Sequence, residues 1–183
     1  MQQTEVIPHL TELICDCIHG NRKAQKKLYD ALAPRFYPVC IRYIGNREAA
    51  QDALQDGFIS LFSRLDSYKG EGSFDGWARR IFINTCLMQL RKKDALKMSD
   101  DISLAREIAT HSTKQIDDLS FKELMEIVVS LPPGFRAVFN LYAIEGLSHK
   151  EIAKMLGITE STSRTQLSRA RIWLQSRIKD LEK

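Results

Sequence analysis

The chain has 183 residues, of which 44% are hydrophobic and 27% charged, and its formal net charge is +4. This is the composition of a soluble globular protein with length for one or two small domains. No apolar run approaches the roughly 18 residues a membrane span needs, and residues 1–10, with Glu5 and Pro8, lack the basic start and apolar core of a secretory signal, so no membrane insertion and a cytoplasmic location are expected.

The charge is distributed in blocks. Residues 1–94 carry 14 Lys/Arg against 11 Asp/Glu (+3), residues 95–119 carry 3 against 5 (−2), and residues 120–183 carry 10 against 7 (+3). Two mildly basic halves joined by an acidic connector suit a protein that meets nucleic acid with both halves. Cys15, Cys17, Cys40 and Cys86 form no CxxC pair, so structural thiols are expected rather than a zinc site or a disulfide frame. His9, His19, His111 and His149 are scattered and read as solvated or capping residues.

Helical periodicity dominates. Leu10, Leu13, Ile14, Cys17 and Ile18 form an amphipathic stripe closed by Gly20. A second stretch after Asn21 carries Ala24, Leu28, Ala31 and Leu32, and Pro34 and Pro38 should bend or break it before Val39–Tyr43. Gly45-Asn46 predicts a turn, followed by a helix from about Arg47 to Leu65 with Ala50, Leu54, Leu61 and Leu65 on its inner stripe. Ser67–Ser73 reads as a loop, with Ser73 placed to cap a helix from Phe74 to about Lys93 that has Trp77, Ile81, Thr85 and Met88 along one face. Asp94 to about Asp118 is polar and poor in aromatics, a linker that is flexible or partly helical.

Order resumes at Leu119. Leu124, Ile127, Val128 and Leu131 form one stripe, stopped by Pro132-Pro133, and Phe135, Val138, Phe139 and Tyr142 form the next, stopped by Gly146. Ser148 with Glu151 predicts a capping box, Ile152, Ala153 and Leu156 an inner face, Gly157 a turn, and Thr159 a cap for the last helix. The expected class is all-α: two small helical domains joined by a flexible linker. The expected boundaries are an N-terminal helix at 1–20, a first domain at 21–94, a linker at 95–118 and a second domain at 119–183.

Three surfaces stand out. On the last helix, Ser163, Leu167, Ala170, Leu174, Ile178 and Leu181 fall on one side, and Ser161, Thr165 and Ser168 fall opposite, flanked by Arg164 and Arg169. Short hydroxyl side chains edged by arginines suit a helix that approaches base edges and grips phosphates. The two caps, the turn glycine and the basic helix stand at helix-turn-helix spacing. The stretch "YKGEGSFDGWARRIFINTCLMQLRKK" (Tyr68–Lys93) interleaves aromatics with bases, as a single-stranded nucleic acid site does, although composition alone favours Trp77 as core. The preceding helix carries Asp52, Gln55, Asp56 and Ile59 on one face, which is either a protein-binding face or a solvated one. No Gly-rich phosphate loop, triad spacing or metal cluster is apparent, so neither catalysis nor a cofactor is expected.

In this order the features resemble a known family. "NREAAQDALQDGFISLFSRLDSYKGEGSFDGWARRIFINTCLMQLRKK" is similar to domain two of the extracytoplasmic-function (ECF) sigma factors of the sigma-70 family, and "LPPGFRAVFNLYAIEGLSHKEIAKMLGITESTSRTQLSRAR" is similar to their helix-turn-helix domain four. The resemblance covers some 90 residues. It implies a function: binding core RNA polymerase, directing it to promoters through the −10 and −35 elements, and helping to melt DNA for transcription initiation. It implies docking of Asp52, Gln55, Asp56 and Ile59 on the clamp helices of the polymerase's largest subunit. It implies contact with the −10 element by Lys69, Phe74, Trp77, Arg79, Arg80, Asn84, Arg91 and Lys92. The −35 element would be met by Ser148, Thr159, Ser161, Thr162, Arg164, Thr165, Ser168, Arg169 and Arg171, with the flap of the second-largest subunit and an anti-sigma factor as further partners. The chain departs from the family pattern at three places. Ser163 stands where many relatives have an apolar residue, Gln166 where they have Lys or Arg, and Gly57, where a branched apolar residue is usual, is expected to loosen its helix slightly. The rival readings are a conventional helix-turn-helix regulator with an N-terminal sensor or dimerisation domain, and a protein-interaction module that no longer initiates transcription.

Overall fold

The computed structural model describes residues 9–92 and 121–181. These residues form helices and connecting turns, with no strand among the described residues. The linker expected at 95–118 lies outside them. Contacts divide the chain into two compact units, Met1–Ile41 with Asn46–Cys86, and Arg42–Gly45 with Leu87–Lys183.

The first unit holds α1 (Leu10–Ile18), most of α2 (Arg22–Ile44), α3 (Arg47–Phe62) and most of α4 (Phe74–Lys92). In α1 the stripe buries Ile14 and Cys17, whereas Ile18 is left exposed. The Asn21 carboxamide caps α2, accepting from the backbone N–H groups of Lys23 and Ala24. Of the bend or break expected at the prolines, the break does not occur: α2 runs unbroken through Pro34 and Pro38. Both prolines are exposed and lie four residues apart on the outer face. The carbonyls that lose a donor, on Asp30 and Pro34, therefore face solvent, while Leu28, Leu32, Phe36, Val39 and Cys40 stay buried on the inner face.

α3 is capped by Asn46, whose side chain accepts from Ala49 N–H. It buries Ala50, Ala53, Leu54, Gly57, Phe58 and Leu61, and ends in a short 3-10 turn, Leu65–Ser67. Gly57 serves packing: a Cβ there would overlap the edge of the Phe82 ring. That ring stacks on Phe36 at 4.4 Å and meets Phe58 edge-on at 5.1 Å. The glycine expected to loosen α3 thus admits an aromatic ring against its backbone.

The second unit contains α5 (Phe121–Ser130), α6 (Pro133–Phe139), α7 (His149–Leu156) and α8 (Glu160–Leu181). Val128, Leu131, Phe135 and Ala170 form its core, with Met125, Phe139, Trp173 and Leu174 packed against it. The Arg136 guanidinium donates to the carbonyls of Leu131, at 3.2 Å, and Val129, where a cation complements the C-terminal end of α5. α6 continues into a single π-helical turn, Asn140–Ile144. This wider turn shifts the inward phase. Asn140 and Leu141 are buried, and Tyr142, expected on the inner stripe, turns outward. Ser148 and Glu151 form the expected capping box, and Gly157, at φ +69°, makes the turn into α8.

Candidate nucleic-acid interface

On α3, Asp52, Gln55, Asp56 and Ile59 are all exposed and, at i, i+3, i+4 and i+7, share one face. Ile59 is 68% exposed, a large apolar side chain surrounded by carboxylates and an amide. An isolated exposed apolar residue is common. This one sits on a face whose opposite side already fills the core.

The loop before α4 is held by its own chemistry. The Tyr68 hydroxyl donates to the Gly72 carbonyl at 3.0 Å, and the Ser73 hydroxyl accepts from Gly76 N–H at 3.1 Å to start α4. Gly70 and Gly72, at φ +75° and +76°, take the left-handed conformation that this tight path requires. The result brings three rings together: Phe74 and Trp77 stack with centroids 5.5 Å apart, and Tyr68 lies 5.1 Å from Phe74 and 5.4 Å from Trp77. Phe74 is buried and Trp77 is half-buried. Of the expected −10 residues, Phe74 therefore stands behind the surface as support. Lys69, Arg80, Asn84, Arg91 and Lys92 are exposed, and Arg79 is half-buried. Trp77, Arg80, Asn84 and Arg91 follow one stripe of α4. Met88 belongs to that stripe, 48% exposed, and not to the inner face with Ile81 and Thr85. Asp75, in the first turn of α4, pairs with Arg35 of α2 at 3.2 Å.

On α8 the two faces separate as the periodicity predicts. Ser163, Gln166, Leu167 and Ala170 are buried, while Ser161, Thr162, Arg164, Thr165, Ser168 and Arg171 are exposed and Arg169 is partly so. The Thr159 hydroxyl accepts from Thr162 N–H at 3.0 Å as the cap, and the Thr162 hydroxyl is 2.8 Å from it, so both are partly committed to the helix start. Ser148 is likewise engaged in its capping box. Arg164 pairs with Glu160 at 3.1 Å across one exposed turn, an interaction weak enough to exchange for a phosphate. Gln166 is buried and does not share the exposed face.

The profile described as Sigma-70 region 2 matches residues 28–96, and that described as Sigma-70, region 4 matches residues 121–174. The chain belongs to the sigma-70 family, in its ECF group. The ECF RNA polymerase sigma factor SigE of Mycolicibacterium smegmatis is 34% identical over 143 residues, which are 76% of this chain; the chain spans 55% of that relative's length. The ECF RNA polymerase sigma factor SigW of Bacillus subtilis is 28% identical over 173 residues, covering 88% of this chain and 92% of the relative. The fold is similar to that of the sigma factor RpoE of Bartonella quintana, solved in complex with the anti-sigma factor NepR, with a TM-score of 0.51 and 22% identity over 86% of this chain and 98% of that one.

Sequence reasoning missed a cluster behind the buried face of α8. His149, read as solvated or capping, stacks on Tyr142 at 4.7 Å with the rings 23° apart. Its Nδ1 hydrogen-bonds the buried Ser163 hydroxyl at 2.9 Å. Desolvation and the neighbouring Arg164 hold the imidazole below its ordinary pKa of 6.5; Glu160 opposes this and Arg171 reinforces it. The one signal in the sequence was a hydroxyl, Ser163, at an inward position. Among the cysteines, Cys17, Cys40 and Cys86 are buried thiols, whereas Cys15 is exposed.

Proposed function

We propose that this sigma factor grips a promoter at two places while bound to core RNA polymerase. In this reading residues 21–94 carry polymerase docking and the −10 contact, residues 119–183 carry the −35 contact, 95–118 join them, and 1–20 add an N-terminal helix. The observation that carries it is the occurrence, in one chain and in family order, of both sigma-70 regions with their expected polar surfaces turned to solvent.

The roles follow from the chemistry of each face. Trp77, backed by Phe74 and Tyr68, offers a ring for an unstacked base, and Lys69 and Arg80, with Arg91 and Lys92 farther along α4, supply cations for the strand's phosphates. Asn84 adds an amide that can both donate and accept. Capture of an extruded base offsets the few kcal/mol that unstacking costs. On α8, Ser161, Thr165 and Ser168 meet base edges in the major groove while Arg164, Arg169 and Arg171 hold phosphates. The Asp52/Gln55/Asp56/Ile59 face would repel DNA and suits a basic, partly apolar protein surface, the clamp helices of the polymerase's largest subunit. The second unit also meets the flap of the second-largest subunit. An anti-sigma factor is a further partner, and polymerase supplies the chemistry.

The test is run-off transcription with bacterial core RNA polymerase on a genomic fragment library. Discrete promoters with a shared pair of elements are expected. Tight binding to a palindromic duplex without polymerase, and no initiation with it, would instead favour the conventional regulator.

A further inference from the structure

We propose that His149 is a positioning residue for the reader helix, fixing α8 through Ser163 at the angle in which Ser161, Thr165 and Ser168 meet the upstream element. The inference rests on the reading of α8 as the −35 reader.

Ser163 lies on the inner face of α8, fully buried, in line with Leu167 and Ala170. A hydroxyl at such a position has little reason to be there unless it is paired. Its partner is the imidazole at the first turn of α7, with Nδ1 2.9 Å away. The imidazole is itself held. Its ring stacks on Tyr142, which the π-helical turn at Asn140–Ile144 delivers to that place, and the Arg171 guanidinium lies 5.9 Å from the centre of the Tyr142 ring. The path therefore leaves α8 at Ser163, passes through His149 and Tyr142, and returns to α8 at Arg171. The two anchor points are eight residues apart, about 12 Å along the helix axis at 1.5 Å per residue. Thr165 and Ser168 lie between them. A helix held at one point can pivot, whereas one held at two points this far apart resists tilting and rotation about its own axis. Apolar packing alone is non-directional; a hydrogen bond and a stacked pair specify orientation.

The experiment uses the full chain with bacterial core RNA polymerase. Its templates are a promoter that the wild-type chain selects from a randomised duplex library and the same promoter with its upstream element scrambled. His149→Ala and Ser163→Ala should each lower upstream-dependent transcription by about five-fold, the scale of one well-made hydrogen bond. The double variant should fall no further than His149→Ala alone, because that change already removes the Ser163 contact. His149→Asn, whose amide can occupy the place of Nδ1, should recover activity to within about two-fold. Transcription from the scrambled template should not change. Multiplying losses in the double variant, no recovery with asparagine, or an equal loss on both templates would each overturn the proposal. Thr165→Ala separates the two ideas. If it leaves upstream dependence intact, α8 is not the reader; if it abolishes that dependence while the His149 and Ser163 variants do not, the reader stands and the pin falls.

Discussion

Gly57 and His149 show how much a single side chain, or its absence, decides. An alanine in the middle of a helix normally stabilises it relative to glycine by up to about 1 kcal/mol. At residue 57 the added methyl would meet the buried Phe82 ring, which is already fixed between Phe36 and Phe58. Overpacking a closed core costs roughly 1–3 kcal/mol, so the clash outweighs the gain and Gly57→Ala should destabilise the first unit. Urea denaturation of the two proteins checks the sign. His149 gives a pH dependence. Its folded-state pKa lies below 6.5, so the unfolded chain takes up the proton first as pH falls. The stability this group contributes is complete above that value and is lost below it, as pH falls toward the depressed folded pKa. The melting temperature of the wild type should therefore drop more between pH 7.5 and 5.5 than that of His149→Asn, all other titrating groups being common to both.

Elements were legible where short-range chemistry defines them. The Ser73, Ser148 and Thr159 caps stand where the sequence places them, because each needs only a side chain and a backbone N–H a few residues away, and so does the Gly157 turn. The inner and outer faces of α3 and α8 follow from periodicity for the same reason. A break in α2 was one of the two outcomes expected because propensity was weighed without burial. Its prolines sit on the wet face, and the long apolar face opposite holds the helix together. That geometry predicts that Pro34→Ala, by restoring a ladder donor, stabilises the first unit by about 1–3 kcal/mol, read as a higher thermal midpoint. The π-helical turn was not legible at all. No local signal in Asn140–Ile144 announces a wider turn, and with it went the outward placement of Tyr142 and the cluster around His149.

At the scale of the molecule, the proposed function divides specificity between modules of modest charge. A net charge of +4 is small for a protein that holds DNA, and under the proposed function tethering both modules to polymerase raises the effective concentration of each. In the proposed reading the Asp52/Gln55/Asp56/Ile59 face governs everything downstream of it. Replacing Asp52 and Asp56 by lysine inverts the face around Ile59 without touching the core, since both side chains are exposed. The double variant should keep its helical circular dichroism and lose co-elution with core polymerase. Unchanged co-elution would move the docking surface elsewhere. Both sigma-70 regions could be recognised from the sequence because their motifs are long. The cluster that joins Ser163, His149, Tyr142 and Arg171 could not, because it draws on three elements that no motif links.

The unequal burial of the thiols has a practical side. Cys15 is exposed on α1, while Cys17, Cys40 and Cys86 are enclosed. A maleimide dye should therefore couple once to the native protein and four times after denaturation, as intact mass would show. A fluorophore at residue 15, remote in sequence from all three proposed surfaces, would report assembly with polymerase and arrival at a promoter in real time, without any engineered cysteine.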